Sequence, residues 1–300
     1  MSRRAIITGA TGFIGSNLVK RLVEDDWQVN IIIRDKSTYD QFRGVEEQIS
    51  VFTYDGTIDR MLEIFSVVKP DIVFHIASLF LADHQPNNID ALIQSNILFG
   101  THLLEAMARN DVKKFINTGT SWQHFEDSEY DPVCLYAATK QAFEAVMTYY
   151  SKVKGIKMIT LKLFDTYGAG DTRPKLLALL NKLRLSNEEK LGMSGGEQIL
   201  SLVHIQDVMS AYQISAKRLL DNLVEESESY TVASNERVSI KQLVEIIEDI
   251  LNLKLSIEWG ARPYREREVM KPWSKGINVP GWEAKVSLRA GLYDYFLVES

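Results

Sequence analysis

Tyr136 and Lys140 stand four positions apart in the segment YAATK, which places them on the same face of a predicted helix. A lysine ammonium close to a phenol lowers the pKa of the phenol from about 10 toward working pH. The spacing therefore predicts an acid–base pair in which Tyr136 donates and accepts the proton. Pairs at this spacing also arise by chance on helices, so the prediction depends on the residues around them.

Hydroxyl side chains precede this pair in the segment FINTGTS, which reads as a strand. Thr118, Thr120 and Ser121 could each hydrogen-bond a substrate carbonyl. We expect Thr120 to make this contact first and Ser121 second.

The segment ITGATGFIG carries three glycines at a spacing of three, directly after a predicted strand and at the start of a predicted helix. Without side chains, such a turn lets backbone N–H groups approach a pyrophosphate, and the helix N-terminus adds about half a positive charge. The alternative is a structural turn without a ligand. We predict a dinucleotide contact through Gly9, Thr11, Gly12, Phe13, Ile14 and Gly15.

The end of the second predicted strand should contact the adenosine ribose, where a carboxylate favours NAD. Counting from Gly15 places Ile33 there, followed by the cation Arg34, which favours the 2′-phosphate of NADP. A shift of one residue would bring Asp35 to this place, so NAD stays an alternative.

Two further strand ends should lie beside the same dinucleotide. Asp55, followed by Gly56, comes after the third predicted strand and can accept from the adenine amino group. Ala77 and Ser78 follow the fourth strand, at the carboxyl edge where such sheets bind ligands. His75 in the same strand is better explained as a packed or hydrogen-bonded histidine than as a general base.

The elements that carry these motifs alternate between β-branched runs and amphipathic stretches up to about residue 168. Strands separated by helices of ten or more residues pair in parallel, which predicts a doubly wound α/β sheet of the Rossmann type. The rhythm then breaks down, and DNLVEESESY, residues 221–230, is interpreted as a solvated connector. Ser239 and Gln242 form a capping-box pattern at the start of a predicted helix whose apolar stripe we expect in the core.

We predict two units without a linker between them. Residues 1–168, with a returning segment at about 200–222, would form the NADP-binding domain. Residues 169–199 and 223–300 would form a smaller C-terminal α/β lobe that binds the substrate.

Composition excludes several classes of protein. The 300 residues include 34 basic and 40 acidic side chains, and this net charge of -6 gives no general attraction to nucleic acid. Cys134 is the single cysteine, which excludes a disulfide framework and fits a cytoplasmic location. The histidines show no metal-ligand spacing, and no window approaches the roughly 20 apolar residues that span a membrane.

Taken in order, these motifs resemble those of the extended short-chain dehydrogenase/reductase family, and its nucleotide-sugar epimerase, dehydratase and reductase branch is the most similar. The segments that carry the resemblance are GATGFIG, HIAS, NILFGTHLLEA, FINTGTS, YAATK, LFDTYGAGDTR, LVHIQDV and GWEAKVSLRAGL. The resemblance implies a catalytic triad of Thr120, Tyr136 and Lys140, with hydride passing between a nicotinamide and a sugar carbon. It also implies cofactor contacts at Asn96, Thr118, Tyr136 and Lys140, and a homodimer through helices at about 90–108 and 136–153.

The resemblance also narrows the reaction. Dehydratases of the family carry an Asp-Glu pair directly after the catalytic threonine, whereas this chain has Ser121 and Trp122. Together with Arg34, this favours an NADPH-dependent reductase of a nucleotide-linked 4-keto-6-deoxyhexose, of the kind that makes abequose or paratose. The alternatives are an NAD-dependent 4-epimerase, a dihydroflavonol-type or steroid reductase, and a regulatory protein that binds NADP without catalysis.

On the substrate side the chain departs from the family pattern. Asp165 stands where the family generally has an asparagine, and Leu200 where it often has a phosphate-binding arginine. Guanidinium groups suit a pyrophosphate, so Arg173, Arg262 or Arg265 could compensate, and Arg265 matches the late arginine of the family best. We expect the substrate to contact Thr120, Ser121, Asp165, Arg173 and Arg265.

Overall fold

The computed structural model describes residues 2–35, 37–38, 40–185 and 190–297. Parts of the predicted lobe, residues 186–189 and 298–300, lie outside this range. The strands are β1 (Arg4–Thr8), β2 (Gln28–Arg34), β3 (Ile49–Tyr54), β4 (Ile72–His75), β5 (Lys114–Thr120), β6 (Lys157–Leu163), β7 (Asp165–Tyr167), β8 (Leu191–Met193), β9 (Ile199–Leu200), β10 (Leu202–His204), β11 (Ser227–Val232), β12 (Val238–Ser239) and β13 (Ile257–Trp259). The α-helices are α1 (Phe13–Glu24), α2 (Ile58–Val68), α3 (Ile89–Ile93), α4 (Phe99–Arg109), α5 (Leu135–Lys154), α6 (Leu176–Leu185), α7 (Ile205–Leu220), α8 (Ile240–Leu251) and α9 (Leu288–Leu297).

A seven-stranded parallel sheet forms the centre of the fold, in the order β11-β6-β5-β4-β1-β2-β3. The inner strands are buried on both faces, which is why they read as continuous apolar runs. One face packs against α1 and α7, and the other against α2, α4 and α5. The predicted doubly wound Rossmann-type sheet is therefore confirmed.

The order of the strands reverses at β1, which pairs with β2 on one side and with β4 on the other. Ligands bind in such sheets at the carboxyl ends of the strands beside this reversal. The glycine turn, the end of β4 and the end of β5 therefore share one edge.

The helical segment from residue 89 to residue 109 is interrupted by one wide turn. Gln94–Leu98 adopt π-helical geometry between α3 and α4. Wide turns of this kind are common at functional sites, and this one contains the buried side chain of Asn96.

Two sequence predictions need correction at the carboxyl half of the sheet. The stretch 221–230 is not wholly a connector, because β11 begins at Ser227 and pairs along β6 as an edge strand of the central sheet. Its polar, acidic sequence hid the strand, since mainly Tyr230, Thr231 and Val232 are buried. Part of the segment 223–300 therefore belongs to the Rossmann sheet and not to the smaller lobe. After β6 the chain leaves the central sheet, and β7 pairs with β10.

The smaller lobe has a core of its own, formed by α6, α8 and α9. The capping box of α8 is present as predicted: Ser239 accepts from the backbone N–H of Gln242, whose side chain accepts from Ser239. Leu243 and Ile247 of its stripe are fully buried in this core.

The late motif GWEAKVSLRAGL connects this lobe to the central sheet. The indole N–H of Trp282 donates to the backbone carbonyl of Asp207 in α7 at 2.9 Å. The buried carboxylate of Asp207 accepts from the backbone N–H groups of Lys285 and Val286. The role of this motif is therefore structural, because it binds the C-terminal segment to α7.

Candidate active site

The glycine turn after β1 is shaped by contacts that a side chain would prevent. Gly9 has a φ of +70°, and a Cβ there would lie 2.5 Å from the backbone nitrogen of Ala77. A Cβ at Gly15 would lie 2.1 Å from the carbonyl oxygen of Gly9. These two glycines bring the turn, the end of β4 and α1 together.

Gly12 has a different part in this turn. It is exposed at the N-terminus of α1, without a side-chain cap, and a Cβ there would meet only the carbonyl oxygen of Gly9 at 3.4 Å. The first backbone N–H groups of a helix have no partner within it, so Phe13, Ile14 and Gly15 present donors at this open side. Thr11 lies in the same turn. This arrangement suits an anionic diphosphate.

The end of β4 is held by a buried hydrogen bond. Thr8 and His75 Nδ1 lie 2.8 Å apart, and the backbone N–H of Ala77 donates to the Thr8 hydroxyl at 3.4 Å. The His75 ring packs against Phe115 and Phe143, and burial lowers its pKa well below the usual value. His75 is thus a neutral packing residue, as preferred from the sequence.

Asn96 fixes the loop that follows β4. Its carboxamide oxygen accepts from the Ser78 hydroxyl and from the backbone N–H of Leu79, and its nitrogen donates to the Leu79 carbonyl and the Thr139 hydroxyl. Both donors of the amide are therefore engaged within the protein. Asn96 therefore positions Ser78 and Leu79, and its predicted contact with the cofactor stays a prediction.

Tyr136 lies in the first turn of α5, where Ser78 and Thr120 hydrogen-bond its phenol. Burial raises the pKa of Tyr136 to about 12, and these two hydrogen bonds oppose the shift only in part. The expectation that Lys140 lowers this pKa is therefore wrong for the protein without cofactor, because burial is the largest contribution and Lys140 is not among the groups that shift the pKa.

Thr120 is held by a turn that the sequence interpretation missed. Its backbone N–H donates to the side chain of Gln123 at 3.1 Å, and its hydroxyl accepts from the N–H of Trp122. Gln123 in turn donates to Gln141 and Glu144 of α5. The pattern Thr-x-x-Gln is a capping box, so the sequence did contain the signal.

Lys140 is 1% exposed, and its Nζ has no hydrogen-bond partner in the part of the chain that the structure describes. Burial lowers its pKa to about 8, although Glu144 acts in the opposite direction. A buried ammonium without a partner is costly, so this atom indicates a missing ligand with hydroxyl groups. The ribose of a nicotinamide nucleotide fits that description.

The other two hydroxyls of the β5 end differ in availability. Thr118 lies 2.6 Å from the phenol oxygen of Tyr212 in α7, so its hydroxyl is already engaged. Ser121 begins the turn after β5 and is half-buried.

The predicted adenosine contacts lie at the same edge, on β2 and β3. Arg34 is the last residue of β2 and is exposed, as is Asp35. Asp55 is exposed too and accepts from the N–H and the hydroxyl of Thr57, which lowers its pKa. Gly56 follows with a φ of +98°.

The predicted substrate residues separate into two groups. Arg173 donates to both carboxylate oxygens of Asp171, and its guanidinium lies 4.6 Å from the centre of the Phe13 ring, beside the glycine turn. Asp165 pairs with Lys175 at 3.6 Å.

Arg265, the predicted residue of the second group, lies beside Trp122 in the turn that follows Thr120. Arg265 is half-exposed, pairs with Glu268 at 3.4 Å and lies 5.7 Å from the centre of the Trp122 ring. Arg262 is exposed, and Leu200 forms part of β9. The structure therefore brings Arg265, and not Arg173, toward Tyr136.

Two cavities have contrasting positions. The larger, about 720 Å³, is lined by Arg3, Arg4 and Gln28 at the amino ends of the strands, away from all predicted site residues. A smaller one of about 220 Å³ lies at the carboxyl edge, beside Phe164 and Trp273. Position relative to the strand ends, and not volume, identifies the candidate site.

A profile of the family described as "NAD dependent epimerase/dehydratase family" matches residues 5–231. The chain belongs to this family. It is 29% identical over 279 residues to a CDP-abequose synthase of Yersinia pseudotuberculosis, covering 92% of this chain and 94% of that protein. It is 24% identical over 307 residues to a UDP-glucose 4-epimerase of Halalkalibacterium halodurans, covering 93% and 90%.

Solved structures show the same fold. The UDP-glucose 4-epimerase of Thermotoga maritima, solved with UDP-glucose, superposes with a TM-score of 0.85 at 22% identity and covers 98% of this chain and 97% of its own. The resemblance to the extended short-chain dehydrogenase/reductases is confirmed, and with it the prediction of an NAD(P)-dependent enzyme. The roles of individual site residues stay predictions.

Within residues 2–35, 37–38, 40–185 and 190–297, no group of three or more His, Cys, Asp or Glu side chains could hold a metal ion. In that same part of the chain, no helix has the length and apolar character needed to cross a membrane.

Proposed function

We propose that this protein uses NADPH to reduce the 4-keto group of a nucleotide-linked 4-keto-6-deoxyhexose. The observation that carries the proposal is the phenol of Tyr136, close to the Thr120 hydroxyl and one helical turn from the Lys140 ammonium, which has no hydrogen-bond partner among the described residues. The next residues after Thr120 are Ser121 and Trp122, so the turn offers no carboxylate for removing water.

The residues present fit a nicotinamide dinucleotide. The glycine turn at the start of α1 would hold the diphosphate, and Lys140 would hold the hydroxyls of the nicotinamide ribose. When bound in reduced form, the cofactor supplies hydride to the carbonyl carbon.

The side chains then manage the oxygen of the substrate. Thr120 donates a hydrogen bond that orients the carbonyl, and Tyr136 donates its phenolic proton to the oxygen as the carbon is reduced. The charge left on the phenolate is stabilised by the Lys140 ammonium. A solvent proton then restores Tyr136.

Tyr136 is the proton donor of this reduction. Burial raises the pKa of Tyr136 to about 12, so the phenol carries its proton at neutral pH in the cofactor-free protein.

A nucleotide-sugar 4-epimerase is the second candidate. The Halalkalibacterium halodurans relative carries this name, and Asp35 lies beside Arg34, where it could hold an unphosphorylated ribose. The higher identity to the Yersinia pseudotuberculosis CDP-abequose synthase and the cation Arg34 favour the reductase.

The test is incubation of the pure protein with NADPH and a panel of CDP- and dTDP-linked 4-keto-6-deoxyhexoses. We expect the absorbance of reduced nicotinamide to fall with at least one of them. In parallel, UDP-glucose with NAD tests for conversion to its C4 epimer. Epimerisation without any oxidation of NADPH would reject the reductase in favour of the second candidate.

We further propose that the chain is divided into a cofactor domain and a substrate lobe.

We also propose that the protein is a homodimer. Exposed apolar side chains on the outer surfaces of the 89–109 segment and of α5 support the homodimer: Ile93 and Leu98 are 41% and 43% exposed, and Tyr149 and Val153 are 52% and 59% exposed. Apolar groups of this kind are buried at low cost by a second copy.

A further inference from the structure

Two aromatic side chains lie beside the phenol of Tyr136, the first in contact with its ring and the second in contact with the first. Phe80, in the loop after β4, contacts Tyr136 edge to face with ring centres 5.0 Å apart. Trp122, in the turn after β5, lies 5.5 Å from Phe80. We call Phe80 and Trp122 the aromatic wall.

The aromatic wall is not buried by the protein itself. Phe80 is 48% exposed and Trp122 is half-buried, although the sheet has a large core close by. Exposed apolar rings beside a candidate acid mark a surface that a ligand covers.

A cation lies at the far end of the wall. The Arg265 guanidinium lies 5.7 Å from the centre of the Trp122 ring and is half-exposed. The contacts thus join a proton donor, two apolar rings and a positive charge: Tyr136 meets Phe80, Phe80 meets Trp122, and Trp122 meets Arg265. A nucleotide-linked hexose has the same order: a carbonyl at C4, the ring with C5 and C6, and a diphosphate on C1.

We propose that the aromatic wall packs against the C5–C6 side of the hexose and selects a 6-methyl group over a 6-hydroxymethyl group, with Arg265 holding the diphosphate. This inference rests on the proposed function and adds the determinant of its substrate class. Ring faces cannot replace the water that a hydroxyl gives up, whereas a methyl group gains from the burial. A pocket that rejects an added hydroxyl in this way discriminates by about 10- to 100-fold.

The test compares two ketones on the same nucleotide: the CDP-linked 4-keto-6-deoxyhexose and the CDP-linked 4-ketohexose that keeps the 6-hydroxyl. We expect kcat/KM to be about 10- to 100-fold higher for the deoxy sugar. Trp122→Gln and Phe80→Ser should each reduce this ratio about 5-fold or more, while Trp122→Phe should retain it. Tyr293→Ser, at an exposed aromatic on α9, is the control and should leave the ratio unchanged.

A second measurement does not depend on turnover. Calorimetric binding of CDP-6-deoxyglucose and CDP-glucose to the NADP⁺-loaded protein should favour the deoxy sugar, and Trp122→Gln should remove the preference. If no ketone is reduced but this preference is found, the proposed function fails and the wall stands. If the wild type treats both sugars alike in turnover or binding, or if both wall variants keep the wild-type ratio, the wall proposal is wrong. Should Trp122→Gln not fold, Phe80→Ser decides.

Discussion

Replacing Lys140 by methionine should make the cofactor-free protein more stable and, at the same time, inactive. The Lys140 ammonium is 1% exposed and unpartnered, and its pKa is lowered from 10.5 to about 8. A pKa unit corresponds to about 1.36 kcal/mol, so burying the charge costs about 3 kcal/mol near pH 7. Methionine has a similar length and no charge, so Lys140→Met should recover most of this free energy of unfolding.

The pH dependence has a definite sign. Below about pH 8 the lysine is protonated in both states, and the destabilisation is complete. Between about pH 8 and 10.5 the unfolded state binds more protons than the folded state, so the stability contribution of the wild-type lysine rises with pH. The advantage of Lys140→Met should therefore shrink across this window and vanish above it.

Urea unfolding of the cofactor-free protein near pH 7 and at higher pH measures this difference. Lys162→Met is the matched control, since Lys162 is also buried but lies 2.7 Å from His124 and 3.7 Å from Glu144. Removing its charge takes the cation away from the largely buried Glu144 carboxylate and the donor away from His124 Nε2, and should destabilise the protein. A Lys140→Met protein no more stable than wild type near pH 7, or an advantage independent of pH, would refute the reasoning.

Four other outcomes are expected. Tyr136→Phe should lower kcat by about 10²- to 10⁴-fold while calorimetric binding of the nucleotide sugar is retained, and near wild-type turnover would remove Tyr136 as the proton donor. The kcat/KM for reduction should fall as pH rises through about 8, because the free enzyme then loses the charge of Lys140, whereas Tyr136 stays protonated; a profile flat to pH 10 would contradict this. Arg34→Ala should raise the KM for NADPH about 10-fold and leave that for NADH unchanged, and equal effects on both would remove the 2′-phosphate contact. Leu98→Glu with Val153→Glu should convert a dimer to a monomer in analytical ultracentrifugation, and an unchanged sedimentation coefficient would place any interface elsewhere.

Local spacing carried most of what the sequence could predict. The glycine turn needs three small residues at fixed offsets, and Tyr136 with Lys140 needs one helical turn, so both are visible within a few residues. The sheet followed from the alternation of apolar runs with amphipathic helices. Strand β11 was not predicted, because the sequence of an edge strand with one polar face, SESYTV, resembles that of a loop.

Contacts between segments that are far apart in the chain could not be predicted from the sequence. Phe80 and Trp122 are 42 positions apart and meet only because β4 and β5 are neighbours in the sheet. The predicted direction of the Tyr136 pKa shift was wrong for a related reason: the spacing to Lys140 is local, whereas burial depends on the whole fold. The contacts of Arg173 with Asp171 and Phe13, beside the glycine turn, were likewise not visible in the sequence, and its predicted contact with the substrate stays a prediction.

The surroundings of Lys140 explain why the pKa of this buried lysine lies close to neutral pH. Beneath it, His75 is neutral, with Nδ1 bound to Thr8 and its ring among Phe115 and Phe143. A protonated His75 would place a second cation beside the ammonium, and the apolar rings prevent this by disfavouring its charge. The same apolar packing lowers the pKa of Lys140 to about 8. Burial of Lys140 therefore lowers the stability of the protein and, at the same time, lets this lysine gain or lose a proton near neutral pH. A ligand that supplies hydroxyls to Nζ should raise the pKa of Lys140 and restore part of the lost stability.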